Sequence, residues 1–75
     1  MGGRIMITLG QLLMFVEYGR TVVLVEHVTE EQISTFTESK ELQYKREYEK
    51  VEPHLEREVM NISTTPASYL YIEIL

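Results

Sequence analysis

Four consecutive apolar residues inside a β-branched run, Thr21-Val-Val-Leu-Val-Glu26, most constrain what this chain can fold into. A half-exposed strand alternates polar and apolar side chains. This run does not, so both of its faces are expected to be covered and it belongs near the middle of a sheet. Such a strand needs flanking strands and a helical layer, and the rest of the chain supplies candidates for both. Ahead of it, Thr8 and Gln11 have capping-box spacing, and Ile7 with Leu12 fits a hydrophobic staple. Leu9, Leu12, Leu13 and Val16 share one helical face, which predicts a helix from Leu9 to about Glu17 with Gly19 as its left-handed C-terminal cap. Two helical turns are not stable alone, so that face must lie on something.

Beyond the central strand the hydrophobic period changes repeatedly. Val28-Thr-Glu-Glu-Gln-Ile33 admits two readings. Thr29 and Gln32 repeat the capping-box spacing and would open a long helix, whereas Ile33, Thr35 and Thr37 alternating with Ser34 and Phe36 give a turn at 29–31 and a second strand. The hairpin is the preferred reading. From Ser39 to Val51 a helix is predicted, because Tyr44, Tyr48, Val51 and Leu55 recur at helical spacing and Glu41 with Lys45 forms an i, i+4 pair. Pro53 stops it and biases Glu52 to extended geometry. Arg57 to Thr64 alternates again, Thr65-Pro-Ala-Ser68 is a turn, and Ser68 to Leu75 places Leu70, Ile72 and Ile74 on one face with Tyr69, Tyr71 and Glu73 on the other. The order helix-strand-strand-helix-strand-strand predicts a small single α+β domain over residues 1–75, with an antiparallel sheet and helices on one face. Residues 1–5 are read as a flexible N-terminal extension, with Met6 an alternative start to Met1.

A chain of 75 residues has an expected radius of gyration of about 11 Å, too small to enclose a deep cleft, so a pocket shared between protomers is easier to build. So small a core leaves little stability to spare, and a homo-oligomer is expected. Its predicted interface is the outer sheet face carrying Tyr69 and Tyr71 with Val23 or Val25. The absence of Cys excludes a disulfide framework, a thiol nucleophile and thiolate zinc, and it suits a reducing cytoplasm. The first apolar stretch is interrupted by Gly10 and Gln11 and lacks a cleavage signal, so no membrane partner and a cytoplasmic location are expected. Net charge is -5, and the acidity concentrates between Glu30 and Glu58, where nine Glu face Lys40, Lys45, Arg46, Lys50 and Arg57. There is no Asp, which removes calcium loops of the EF-hand type. That acidic middle opposes direct binding to duplex DNA and leaves room for mimicry of nucleic acid.

No catalytic constellation emerges. His27 and His54 lie on different elements and make no His-based metal motif. Glu30 with Glu31 and Glu47 with Glu49 sit in polar stretches where nothing would raise a carboxyl pKa for acid catalysis. Gly2, Gly3, Gly10 and Gly19 do not form a phosphate loop. A non-enzyme without metal or cofactor is therefore expected. The residues best suited to a phosphate-bearing aromatic ligand are Arg46 with Tyr44 or Tyr48, and secondarily Arg20 with the hydroxyls of Ser63, Thr64 and Thr65. Arg57 reads as the start of a strand beside Glu56 and Glu58. The plainer reading gives Tyr44 and Tyr48 to the second helix's buried stripe and Arg46 to its solvated face.

Met6-Ile-Thr-Leu-Gly-Gln-Leu-Leu13, Arg20 to Val25, Arg57-Glu-Val-Met-Asn-Ile62 and Tyr71-Ile-Glu-Ile74 span most of the chain. Together they resemble small uncharacterised accessory proteins encoded by bacteriophages and prophages of Firmicutes-like bacteria. The shared motifs are core patterns and include no functional residue. The resemblance implies a phage accessory protein, a kind that often antagonises host defence. Such proteins bind a defence protein, as anti-CRISPR proteins do, or form small oligomers that sequester nucleotide immune signals. The leading expectation is an oligomeric sponge for a cyclic nucleotide or related signal. The alternatives are an inhibitor whose Glu-rich middle engages a basic surface of a host defence protein, and a ligand-free structural or regulatory phage component.

Overall fold

The structure, a computed structural model, describes residues 6–75; the expected extension at 1–5 lies outside the described residues. The elements are α1 (Leu9–Leu13), β1 (Thr21–Glu26), β2 (Gln32–Thr37), α2 (Tyr48–Val51), β3 (Val59–Thr64) and β4 (Leu70–Ile74). They build an α+β fold whose four strands lie in the order β2-β1-β4-β3. The expected order of elements is the one observed. The sheet is antiparallel in both hairpins and parallel where β1 meets β4, so the antiparallel expectation gives way at the centre to a mixed sheet. The reason lies in the connection. β2 and β3 run in the same direction, so residues 38–58 must climb back across the helical face before β3 begins, as any parallel crossover must.

The central position of β1 follows from its sequence. Val22 and Leu24 join Leu9, Phe36, Leu42, Val51, Ile72 and Ile74 in one core between the sheet and the helical layer. Burying a side chain of this kind contributes about 1.5–3 kcal/mol, so this cluster is the main source of stability. At 29–31 the hairpin reading holds: Glu26 N–H donates to Glu31 C=O, Glu30 adopts φ 62° and β2 follows. A bulge between Leu24 and Val25 lets Ile33 join Ser34 and Phe36 toward the core.

Helix α1 starts as predicted. Gln11 N–H donates to Thr8 Oγ1 and Thr8 N–H donates to Gln11 Oε1, closing the capping box. The other orphan N–H groups of its first turn find the crossover, Leu9 donating to Arg57 C=O at 2.9 Å and Gly10 to Leu55 C=O at 2.8 Å. The helix ends at Leu13, not at Glu17, because tight turns from Leu12 to Phe15 and from Leu13 to Val16 redirect the chain toward β1. Gly19 has φ 93° but is not the helix cap; it turns the chain into β1 and donates its N–H to Glu38 C=O.

The second predicted helix is broken. A 3₁₀ turn at Leu42–Tyr44 is followed by extended Lys45 (ψ 153°), then by α2 and a second 3₁₀ turn at Glu52–His54. In one unbroken helix Leu42 and Val51, nine residues apart, would point to opposite sides. The break lets both enter the core, and Tyr44 is left outside it. Pro53 does end α2 at Val51, yet Glu52 is helical, not extended, because the 3₁₀ turn continues through it.

Candidate functional site

The strand rows set the site. Arg20 is in phase with Val22 and Leu24, and Glu38 is in phase with Ser34 and Phe36, so both polar residues continue core-facing rows beyond the end of the sheet. They are cross-strand neighbours, since Glu38 N–H donates to Arg20 C=O at 2.9 Å. Their side chains do not pair. The segment Phe15-Val16-Glu17 lines two cavities, one holding Glu38 and the other Arg20.

The larger cavity is an open bowl of about 760 Å³ between residues 13–18 and the crossover, walled by Leu13, Tyr18, Leu42, Tyr48 and Leu55. Glu38 is only 8% exposed. Burial pushes its carboxyl above the usual carboxylate range, against the opposing effect of the Ser39 backbone N–H, and no cation among the described residues offsets the burial. Next to it, Ser39 Oγ is buried without a hydrogen-bond partner among the described residues. At the rim Met14 and Phe15 are 81% and 82% exposed, with Tyr18 also exposed. They form an apolar ledge on one short segment.

The smaller cleft, about 330 Å³, is lined by Leu12, Phe15, Ile62 and Leu70 with Glu17 and Arg20. Arg20 Nε is buried there without a partner among the described residues. Thr64 pairs with Leu70 in register, so Ser63, Thr64 and Thr65 reach the same end of the sheet as Arg20. Arg46, Tyr44 and Tyr48 do meet in one groove, of about 350 Å³, but Glu49 and Glu52 line it as well, and its cations are balanced by carboxylates. Arg20 and Arg46 do not line the same one of these cavities.

On the outer sheet face Val23 stands opposite Tyr71, both half-buried, and Tyr69 is exposed just before β4. Val25, the other valine expected there, is buried within the chain itself. His27 Nδ1 lies 3.0 Å from Glu73 Oε1 beside them.

Arg57 is more than the opening of a strand. It grips Glu26 with both Nη groups at 2.6 and 3.1 Å, donates from Nε to Leu75 C=O and from Nη1 to His54 Nδ1. These hydrogen bonds hold the Glu26 carboxyl below its usual range and raise the guanidinium. The clamp ties the ends of β1 and β4 to the crossover and occupies four of the five N–H donors of Arg57. No sequence spacing announces it, since Glu26 and Leu75 are remote along the chain.

Among the described residues, no group of three His, Cys, Asp or Glu gathers in a way that could hold a metal ion. No helix among them is long and apolar enough to cross a membrane. The chain matches no family model, no curated protein and no solved structure.

Proposed function

We propose that this protein is a non-enzymatic docking protein, an accessory antagonist that occupies the surface of a host defence protein. The observation that carries the reading is the ledge of Met14, Phe15 and Tyr18, whose side chains stand in solvent at the mouth of the bowl. Met and aromatic residues are enriched in interfaces and supply much of their energy, and a contiguous exposed group of them marks a contact surface. A net charge of -5, most of it between residues 30 and 58, where nine Glu face five Lys and Arg, favours encounter with a basic partner and disfavours acidic ones. The phage resemblance supplies the biological setting. The test is to express the protein in bacteria carrying defined defence systems and to score phage plating. Wild type should restore plating against one system, and Phe15→Asp should abolish that while keeping the circular-dichroism spectrum of the fold. Restoration by Phe15→Asp at wild-type level, or by neither protein on any system, would count against the reading.

A second reading, the nucleotide sponge, is supported by Arg20 Nε, which has no partner among the described residues and shares its cleft with the exposed Phe15 ring. A guanidinium with a stacking ring suits a phosphate-bearing base, and the cleft is open enough to need a second copy to enclose it. Heating protein that has been incubated with cyclic dinucleotides and cyclic ADP-ribose isomers should then release intact ligand. Arg20→Ala should prevent its capture.

A further inference from the structure

We propose that the bowl between residues 13–18 and the crossover is a binding site for an organic cation, an ammonium or guanidinium carried on an apolar body, with the Glu38 carboxylate and the Ser39 hydroxyl as its polar floor.

Several independent features point to this chemistry. Glu38 is more than nine-tenths buried and lines the cavity, and no basic side chain among the described residues is bonded to it. An ionised carboxylate in that position costs free energy that the Ser39 backbone N–H offsets only in part, and a partner cation or protonation relieves the rest. Beside it Ser39 Oγ is buried with no hydrogen-bond partner among the described residues, and a hydroxyl oxygen accepts readily from an ammonium or guanidinium N–H. Phe15, Tyr18 and Tyr48 supply ring faces, whose quadrupoles attract cations. Leu13, Leu42 and Leu55 provide the apolar wall for the ligand's body. At about 760 Å³ the space falls within the range of small-ligand sites. The rim carries Glu17 against Lys40, so with Glu38 the bowl is net negative, and an anion would meet repulsion there.

In the docking reading, on which this assignment of the source rests, the cation is an Arg or Lys side chain of the partner, seated in the bowl while the ledge packs around it. A free organic amine has the same recognition chemistry, and the experiment separates the two.

¹⁵N-labelled protein is titrated with acetyl-Leu-Arg-Leu-amide, with the citrulline peptide of the same shape but no charge, and with agmatine. The arginine peptide is expected to shift the amides of Phe15, Glu38, Ser39 and Tyr48, and to bind at least tenfold more tightly than the citrulline peptide. Glu38→Gln should weaken the arginine peptide at least tenfold. If the peptide outbinds agmatine the cation belongs to a protein partner; if agmatine matches or outbinds the peptide, it belongs to a free amine, and the site stands in either case. Equal affinity for the arginine and citrulline peptides, or undiminished binding by Glu38→Gln, overturns the site.

Should Glu38→Gln fail to fold, the pH profile of binding to Glu17→Gln protein decides. Glu17 and Glu38 are the carboxyl groups lining the bowl, beside Lys40, Tyr18 and Tyr48, and with Glu17 replaced Glu38 is the one that remains. Affinity must rise as its carboxyl ionises, and a flat profile overturns the proposal. Failure here leaves the docking reading intact if Phe15→Asp still loses plating rescue. Failure of plating rescue, in turn, leaves a peptide-binding bowl intact.

Discussion

Replacing Gly10 by alanine opposes two effects whose sizes can be compared. Alanine is the better helix former, by about 1 kcal/mol in a helix interior and by less in the first turn. Against this, a Cβ at Gly10 would stand 3.1 Å from the Leu55 carbonyl oxygen, tighter than nine in ten real Cβ contacts. That oxygen cannot simply retreat. It accepts the Gly10 N–H at 2.8 Å, and two residues on Arg57 C=O accepts Leu9 N–H at 2.9 Å. A shift of a few tenths of an ångström would stretch both bonds, and it would disturb Arg57 where it grips Glu26. Overpacking of this kind costs about 1–3 kcal/mol. The net expectation for Gly10→Ala is a loss of about 1 kcal/mol, or roughly 4–8 °C in Tm for a domain of this size. Urea denaturation and thermal circular dichroism of wild type and variant measure it. A variant more stable than wild type by half a kilocalorie or more would refute the reasoning, because propensity alone would then govern the site.

Thr8→Ala removes the acceptor for Gln11 N–H and should cost about 1 kcal/mol in the same urea assay. Gly19→Ala meets no steric obstacle, but φ 93° suits no alanine, so a loss of roughly 1–2 kcal/mol is expected there from backbone strain alone. Glu26 has its carboxyl pKa lowered, so the stability it supplies is complete above the ordinary carboxylate value and is lost as pH falls through the lowered one. Urea midpoints measured against pH should show that acid limb in wild type and a smaller one in Arg57→Gln. Glu38 has the opposite sign: its penalty is absent below the ordinary carboxylate value and complete above the raised one. Glu38→Gln should therefore be more stable than wild type near neutral pH, and the difference should close on acidification.

What the sequence revealed follows from the range of the interactions involved. The capping box of α1, the interior position of β1 and the alternation of β4 are written in residues a few positions apart, and all three appear as read. The parallel β1–β4 pair and the Arg57 clamp depend on residues tens of positions apart, and no local pattern carries them. The broken second helix is intermediate. Its stripe of Tyr44, Tyr48, Val51 and Leu55 is genuine helical spacing, but Leu42 lies out of phase with it, and the energy of burying Leu42 outweighs the continuity of the helix.

The candidate site was only partly legible, and for a reason that bears on function. A phosphate-seeking search for Arg and Tyr favours Arg46, whose cationic groove is balanced by Glu49 and Glu52. The more telling signal is one of phase: Arg20 extends the row of Val22 and Leu24, and Glu38 extends the row of Ser34 and Phe36. Opposite charges at adjacent core-facing positions of neighbouring strands would ordinarily be expected to meet and stabilise one another. Here they are directed to separate cavities, with Phe15, Val16 and Glu17 lining both. A pairing forgone in this way leaves Glu38 raised in pKa and Arg20 Nε without a partner among the described residues, at a cost to the isolated chain. Violations of local consistency of this kind concentrate at functional sites, and the end of the sheet where both occur also carries the exposed Met14 and Phe15.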